Sequence, residues 1–200
     1  MIPPNKANHA SFLELLPTGD LLIAWFSGTK EGQNDVSIYI ARLPLGTDQW
    51  SNASLVSRWD GYSNQNPVLF YDPTTKILNL WHSQQPAGEG ETDAKVWHLQ
   101  SMDGQGMNWT KPKDLLTTSG SFDRNRVILS LDGGLILPIY YAGEWLLQLI
   151  IHYTSIFTIN FMCTWQAVHI ILYCRKTKCV VSTRVWVSIF LSQKWPTTRV

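Results

Sequence analysis

One turn pattern recurs three times along the chain, at spacings of 56 and then 59 residues. It reads Leu16-Pro17-Thr18-Gly19-Asp20-Leu21-Leu22, then Asp72-Pro73-Thr74-Thr75-Lys76-Ile77-Leu78, then Leu131-Asp132-Gly133-Gly134-Leu135-Ile136-Leu137. Each copy is a reversal between two apolar runs, in which Pro fixes φ and Gly admits positive φ. Other landmarks keep the period: Trp50-Ser51 returns as Trp109-Thr110, and Asn66-Pro67-Val68-Leu69 as Asn125-Arg126-Val127-Ile128, each 59 residues on. A unit of this length holding four short strands predicts the blades of a β-propeller.

Within the unit, apolar and polar residues alternate with period two. The pattern predicts strands over 10–16, 20–27, 36–43 and 54–58, and again over 66–71, 76–83, 95–101 and 113–117. A third pass gives two more, over 126–130 and 134–141. No 3.6-residue apolar stripe runs through the first 144 residues. The fold class is therefore all-β, with about two and a half blades in 1–144.

Composition breaks after Glu144. All 15 acidic residues and all 13 glycines precede residue 145, whereas 145–200 holds six Lys or Arg and all three cysteines, Cys163, Cys174 and Cys179. Turns need Gly, Asp and Asn, so the period is expected to stop there, leaving a hydrophobic, basic, non-propeller tail over 145–200. Three readings fit that tail: translated non-coding sequence, a membrane anchor through 145–174, or a pair of buried strands completing the third blade. The cysteines lack metal-ligand spacing. No basic start followed by an apolar core marks a leader in the first 15 residues. The first 144 residues carry a net charge of −5, which argues against nucleic acid as a partner. No phosphate-binding Gly loop or metal cluster is visible, so neither cofactor nor metal is expected. Compartment, oligomeric state and protein partners cannot be read from these residues.

Ser101-Met102-Asp103-Gly104-Gln105-Gly106-Met107-Asn108-Trp109 resembles an Asp-box, S-x-D-x-G-x-x-T-W, with the Gly one place late and Asn for Thr. Asn8-His9-Ala10-Ser11, Gly19-Asp20-Leu21-Leu22, Trp25-Phe26-Ser27-Gly28-Thr29-Lys30-Glu31-Gly32, Asn34-Asp35-Val36 and Asn66-Pro67-Val68-Leu69-Phe70 extend the likeness. Together they resemble the sialidase-like, BNR-repeat family over roughly residues 8–143. The resemblance implies a six-bladed propeller, with the Asp-box hairpin as architecture away from the catalytic face. It also implies an exo-acting glycoside hydrolase for terminal acidic sugars of glycans. Sialidases use a Tyr nucleophile activated by Glu, an Asp acid/base and three Arg that clamp the sugar carboxylate.

Carried onto this chain, the resemblance makes Asp35 the catalytic acid/base by position, with a turn acid before the third strand as the alternative. His9 stands where the first clamp Arg is expected and serves as a proton-transfer group or ligand. Lys30, Glu31, Asn66 and Arg126 fall at strand starts or in the loop after the second strand, where substrate contacts are expected. The remaining Arg, the Tyr and the Glu belong to later blades. Two other readings stay open: a propeller lyase or glycosidase for uronate-type sugars, with His9 replacing the clamp, and a non-catalytic glycan-binding propeller. Two bare sheet faces, each of the order of 500 Å², forgo about 12 kcal/mol of burial apiece. This chain on its own is therefore expected to be unstable or inactive.

Overall fold

The computed structural model describes residues 3–115, 119–129, 134–142, 169–175 and 178–181. Three antiparallel sheets follow one another along the chain. The first runs β1 (Ala7–Leu15), β2 (Leu21–Gly28), β3 (Ser37–Leu43), β4 (Ser54–Ser57) in spatial order. The second repeats it with β5 (Tyr62–Asp72), β6 (Ile77–Pro86), β7 (Lys95–Ser101) and β8 (Lys113–Asp114). In the third, β9 (Ser121–Asp123) and β10 (Ile128–Leu129) both pair with β11 (Leu135–Tyr141). Beyond β11 lie β12 (His169–Arg175) and β13 (Lys178–Val181). Backbone pairing in the third sheet thus crosses the composition break at 144. Residues 143–168 and 182–200 lie outside the described residues, and most of the membrane-anchor reading with them. No helix among the described residues is long and apolar enough to cross a membrane.

The innermost strands start earlier than alternation predicts, at Ala7 and Tyr62 instead of 10 and 66. The cause is a β-bulge. Pairing passes from His9↔Phe26 to Phe12↔Ala24 in the first sheet, and from Gln65↔Ser83 to Val68↔Trp81 in the second. Ala10 (φ 51°) and Asn66 (φ 50°) sit in the bulges in the left-handed region. The extra residue resets the alternation, so the pattern reads as a strand start where the strand is only bent.

Packing follows from the pleat. Leu22, Ala24, Phe26, Ile38 and Ile40 of the first sheet meet Leu69, Leu78, Leu80 and Leu99 of the second. The other face of the second sheet sends Val68, Phe70, Trp81 and Val96 against Val127, Leu137 and Ile139. Neighbouring residues Val68 and Leu69 thus serve different cores, and both faces of the middle sheet are buried. Each fully buried Leu or Phe contributes about 1.5–3 kcal/mol.

The three inner strands also meet at one carboxylate. Glu14 of β1, only 4% exposed, accepts the Tyr71 N–H of β5 at 3.0 Å and the Arg126 guanidinium, ahead of β10, at 3.0 Å. Burial pushes the Glu14 carboxyl above its usual range, and the Tyr71 amide and Arg126 pull against that. A second tie lies at the turn end. Asp20 accepts the Leu45 N–H at 2.9 Å and Arg42 Nη1 at 2.6 Å, while Arg42 Nη2 donates to the Gln105 carbonyl of the second sheet.

Two histidines are enclosed in this packing. His82 Nε2 lies 3.0 Å from Ser57 Oγ, and its Nδ1 lies 3.2 Å from the Ser83 carbonyl. Burial lowers its pKa to about 4, so the neutral ring donates from Nδ1 and accepts the serine hydroxyl. The pair has the form of a base and nucleophile, but both side chains are sealed in the seam. His98 stacks on Trp81 at 4.8 Å and bonds Asn79 Oδ1 at 2.9 Å. Burial, with Lys113 in support, lowers it to about 4 as well.

Glu14→Ala strips the Tyr71 amide of its acceptor and should cost about 2 kcal/mol in urea unfolding. Arg126→Ala, at a side chain 61% exposed, should cost less than about 1 kcal/mol. A Glu14→Ala protein as stable as wild type contradicts this assignment. The histidines set an acid limit. The unfolded chain takes up their protons from about pH 6.5 and the folded chain only near 4, so stability is lost as pH falls through that window. His82→Gln should remove about half of that loss in melts across the window.

Candidate active site

The end of each sheet where the inner strand begins is also where the second strand ends, as the pairs Ala7↔Gly28 and Tyr62↔Pro86 show. The loops that follow β2 and β6 therefore share one rim. Gly88 N–H donates to the Gly32 carbonyl at 3.0 Å, which ties the two loops together.

Beneath this rim the interior changes character. Ser27, Ser37, Ser63, Asn64, Gln65, Ser83, Gln84, Gln85, Ser121 and Asp123 are all buried there. Buried polar groups cost free energy unless paired. The pairing is extensive: Asn64 Nδ2 donates to the Val36 carbonyl at 3.0 Å, Gln84 Nε2 to Asn64 Oδ1 at 3.1 Å, and Gln65 Nε2 to Ser63 Oγ at 3.0 Å. Ser27 Oγ, Gln85 Oε1 and Asp123 Oδ2 nevertheless have no partner. Stability alone favours apolar residues here, so a layer of this kind makes the rim the candidate end for chemistry.

The opposite end holds the Asp-box hairpin. Asp103 accepts the Ser101 hydroxyl and, at 2.7 Å, the Gln105 N–H. Gly106 N–H donates to Ser101 Oγ at 2.9 Å and Trp109 Nε1 to the Gly106 carbonyl at 3.1 Å. Gly106 (φ 72°) sits against Leu22, Leu78 and Trp109, where a side chain has no room. These residues hold the turn and seal the seam.

At the rim, His9 is 62% exposed, and its Nδ1 lies 3.6 Å from Oε2 of Glu31, itself 56% exposed. The ring stands edge-on to Phe26 at 5.4 Å. The next residue, Ala10, holds a left-handed backbone that costs an alanine about 1 kcal/mol or more. His9 thus sits beside a strained bulge with a carboxylate from the neighbouring loop close by. A groove of about 360 Å³ beside it is lined by Pro3, Asn8, His9, Ala10, Ser11, Ile23 and Trp25. Trp25 forms its wall, held by stacking on Tyr39 and by donating Nε1 to Asn8 Oδ1 at 3.0 Å.

Asp35 closes the loop that carries Lys30 and Glu31. Its Oδ2 accepts the Thr29 N–H at 2.9 Å and its Oδ1 the Thr29 hydroxyl at 3.1 Å. Lys30 is exposed on that loop. Asn66, half-buried, supplies the bulge conformation in the second sheet that Ala10 supplies in the first. Arg126 is engaged with Glu14, 112 residues away in sequence. The structure therefore brings His9 into contact with Glu31 on the loop that carries Lys30 and Asp35, and places Asn66 and Arg126 in architectural bonds or turns. Sequence reading passed over Glu14 and Asp123. Asp123 was within reach, because Asn8, Asn64 and Asp123 repeat at intervals of 56 and 59. Among the described residues no cluster of three or more metal-ligating side chains forms.

A model of the BNR repeat-like domain matches residues 19–188. No curated protein sequence matches the chain. Among solved structures, the Hadza microbial sialidase Hz136 superposes with a TM-score of 0.65 at 12% identity, over 86% of this chain and 36% of that one. The NanB sialidase from Streptococcus pneumoniae gives 0.66 at 10% identity, over 90% and 44%. The GH93 α-L-arabinofuranosidase of Fusarium graminearum gives 0.58 at 15% identity, over 90% and 48%. The chain thus spans less than half the length of these three structures. Repeat, sheet order and Asp-box hairpin agree with these matches: the chain belongs to the BNR repeat-like domain family and has the sialidase-type β-propeller fold.

Proposed function

We propose that the protein is a sialidase-like glycoside hydrolase that removes a terminal acidic sugar at the rim of its propeller. The observation that carries this reading is the exposed His9–Glu31 pair beside a strained bulge, above a buried polar layer. Glu31 stands near Nδ1 and can close on it when substrate binds, leaving Nε2 for proton transfer to the glycosidic oxygen. Asp35 is the second acid/base candidate. Thr29 occupies one lone pair on each carboxylate oxygen, and others remain for a substrate. Lys30 offers a point charge to the sugar carboxylate.

One observation favours a second reading, in which the sugar is a uronate and His9 takes the place of an Arg clamp. Arg42 is held by Asp20 and Gln105, and Arg126 has Nη2 committed to Glu14, so no guanidinium fork is seen beside His9 among the described residues.

Purified protein assayed with a fluorogenic sialoside and a fluorogenic uronide separates the two readings. His9→Ala should lower kcat on the preferred substrate by roughly 10²–10⁴-fold with a small change in KM. Asp35→Asn should do the same if Asp35 carries the proton, and should only loosen the 29–35 loop if it does not. Wild-type kcat in both variants, or glycan binding without turnover in wild type, overturns the hydrolase reading in favour of a binding propeller.

A further inference from the structure

The rung held by Asn64 in the second sheet is held by Asp123 in the third. Asn64 pairs across to Gln84 and Asp123 to Ile139, each just ahead of the irregularity in its inner strand. At Asn64 an amide joins sheet to sheet, giving Nδ2–H to the Val36 carbonyl of the first sheet and taking Gln84 Nε2–H. That bond is indifferent to pH. At Asp123 a carboxyl performs the same task. Its Oδ1 accepts the Ser83 hydroxyl of β6 at 2.5 Å, and its own N–H returns to Ser83 Oγ at 3.1 Å. Its Oδ2 is buried with no partner, and the residue is 0% exposed.

We propose that the joint between the second and third sheets is proton-gated at Asp123: the acid form of this carboxyl seats β9 on β6, and departure of the proton loosens the seam. The geometry gives the reason. An ionised carboxylate here has one side-chain donor, the Ser83 hydroxyl, with its own backbone N–H in support, and no cation within ion-pair distance among the described residues. The neutral acid carries no buried charge, and its O–H finds an acceptor in Ser83 Oγ when Oδ1 holds the proton. The surrounding elements offer no compensating charge. β6 brings His82, which burial holds neutral and which is bonded to Ser57 on the first sheet. β5 brings the neutral Gln65, and β11 has no charged residue. On β7, Lys95 is half-buried with no recorded ion pair and His98 is bonded to Asn79; Arg124, beside Asp123, is exposed. Burial raises the Asp123 carboxyl to about 8, with Ser83 opposing. In sign, a folded-state value above the unfolded 3.8 means that the seam is tightest in acid and weakens as pH climbs from about 4 to about 8, with no further loss above.

The test compares the full chain with Asp123→Asn, which copies the amide of the second sheet. Both histidines act equally in the two proteins, so their difference isolates residue 123. The unfolding midpoint of Asp123→Asn should gain roughly 4–8 °C on wild type between about pH 5 and about pH 8.5. Infrared spectra should show an un-ionised carboxyl band in wild type near neutral pH that Asp123→Asn lacks and Glu14→Gln keeps. Parallel melting curves, or no such band, overturn the proposal. Should Asp123→Asn fail to fold, the band in wild type and in Glu14→Gln decides alone.

Discussion

Everything in this fold that is not local depends on where three inner strands converge. Antiparallel sheets of four short strands form from near-neighbour pairing and carry two apolar faces each. Nothing in a single sheet sets its angle to the next. The Glu14 carboxylate does: it belongs to the first sheet, takes a backbone N–H from the second and a guanidinium from the third. Apolar burial supplies most of the stabilisation through the two inter-sheet cores, but it is non-directional. The directional bonds at Glu14, at Asp20 and Arg42, and between Asn64 and Val36 select one fanned arrangement among many greasy ones.

The same strands divide the molecule into a structural end and a chemical end. At the Asp-box end, side chains finish turns and glycines fit into seams. At the rim, polar side chains are buried and an ionisable pair stands in solvent beside a groove. Unsatisfied buried polar groups are costly and often accompany functional sites, and the contrast between the two ends is what makes the rim the candidate site.

Much of the fold was legible in the sequence. The turn triplet, the alternation and the spacing gave β1 to β8, β10 and β11 within a few residues, because period-two patterning and turn chemistry are local properties; β9, three residues long, was missed. The bulges at Ala10 and Asn66 were not legible. Alanine has no preference for positive φ, and an inserted residue looks like a strand boundary when only the phase of alternation is seen. The placement of the candidate residues was legible only in part. His9, Glu31, Lys30 and Asp35 fall together because strand start and loop are adjacent in any hairpin. Arg126 read as a free cation because its partner, Glu14, lies 112 residues away and looks from the sequence like an ordinary charge in an exposed strand. Long-range ion pairs and buried acids leave no mark on composition. Only the repeat arithmetic, which sets Asp123 beside Asn8 and Asn64, hinted at one of them.

The most direct measurement of the central account is a double-mutant cycle between Glu14→Gln and Arg126→Met in urea unfolding. If the inner strands of the first and third sheets meet at this carboxylate, the two substitutions should be non-additive by about 0.5–2 kcal/mol. Strict additivity, within about 0.3 kcal/mol, would mean that the Glu14–Arg126 pair does not tie the first sheet to the third.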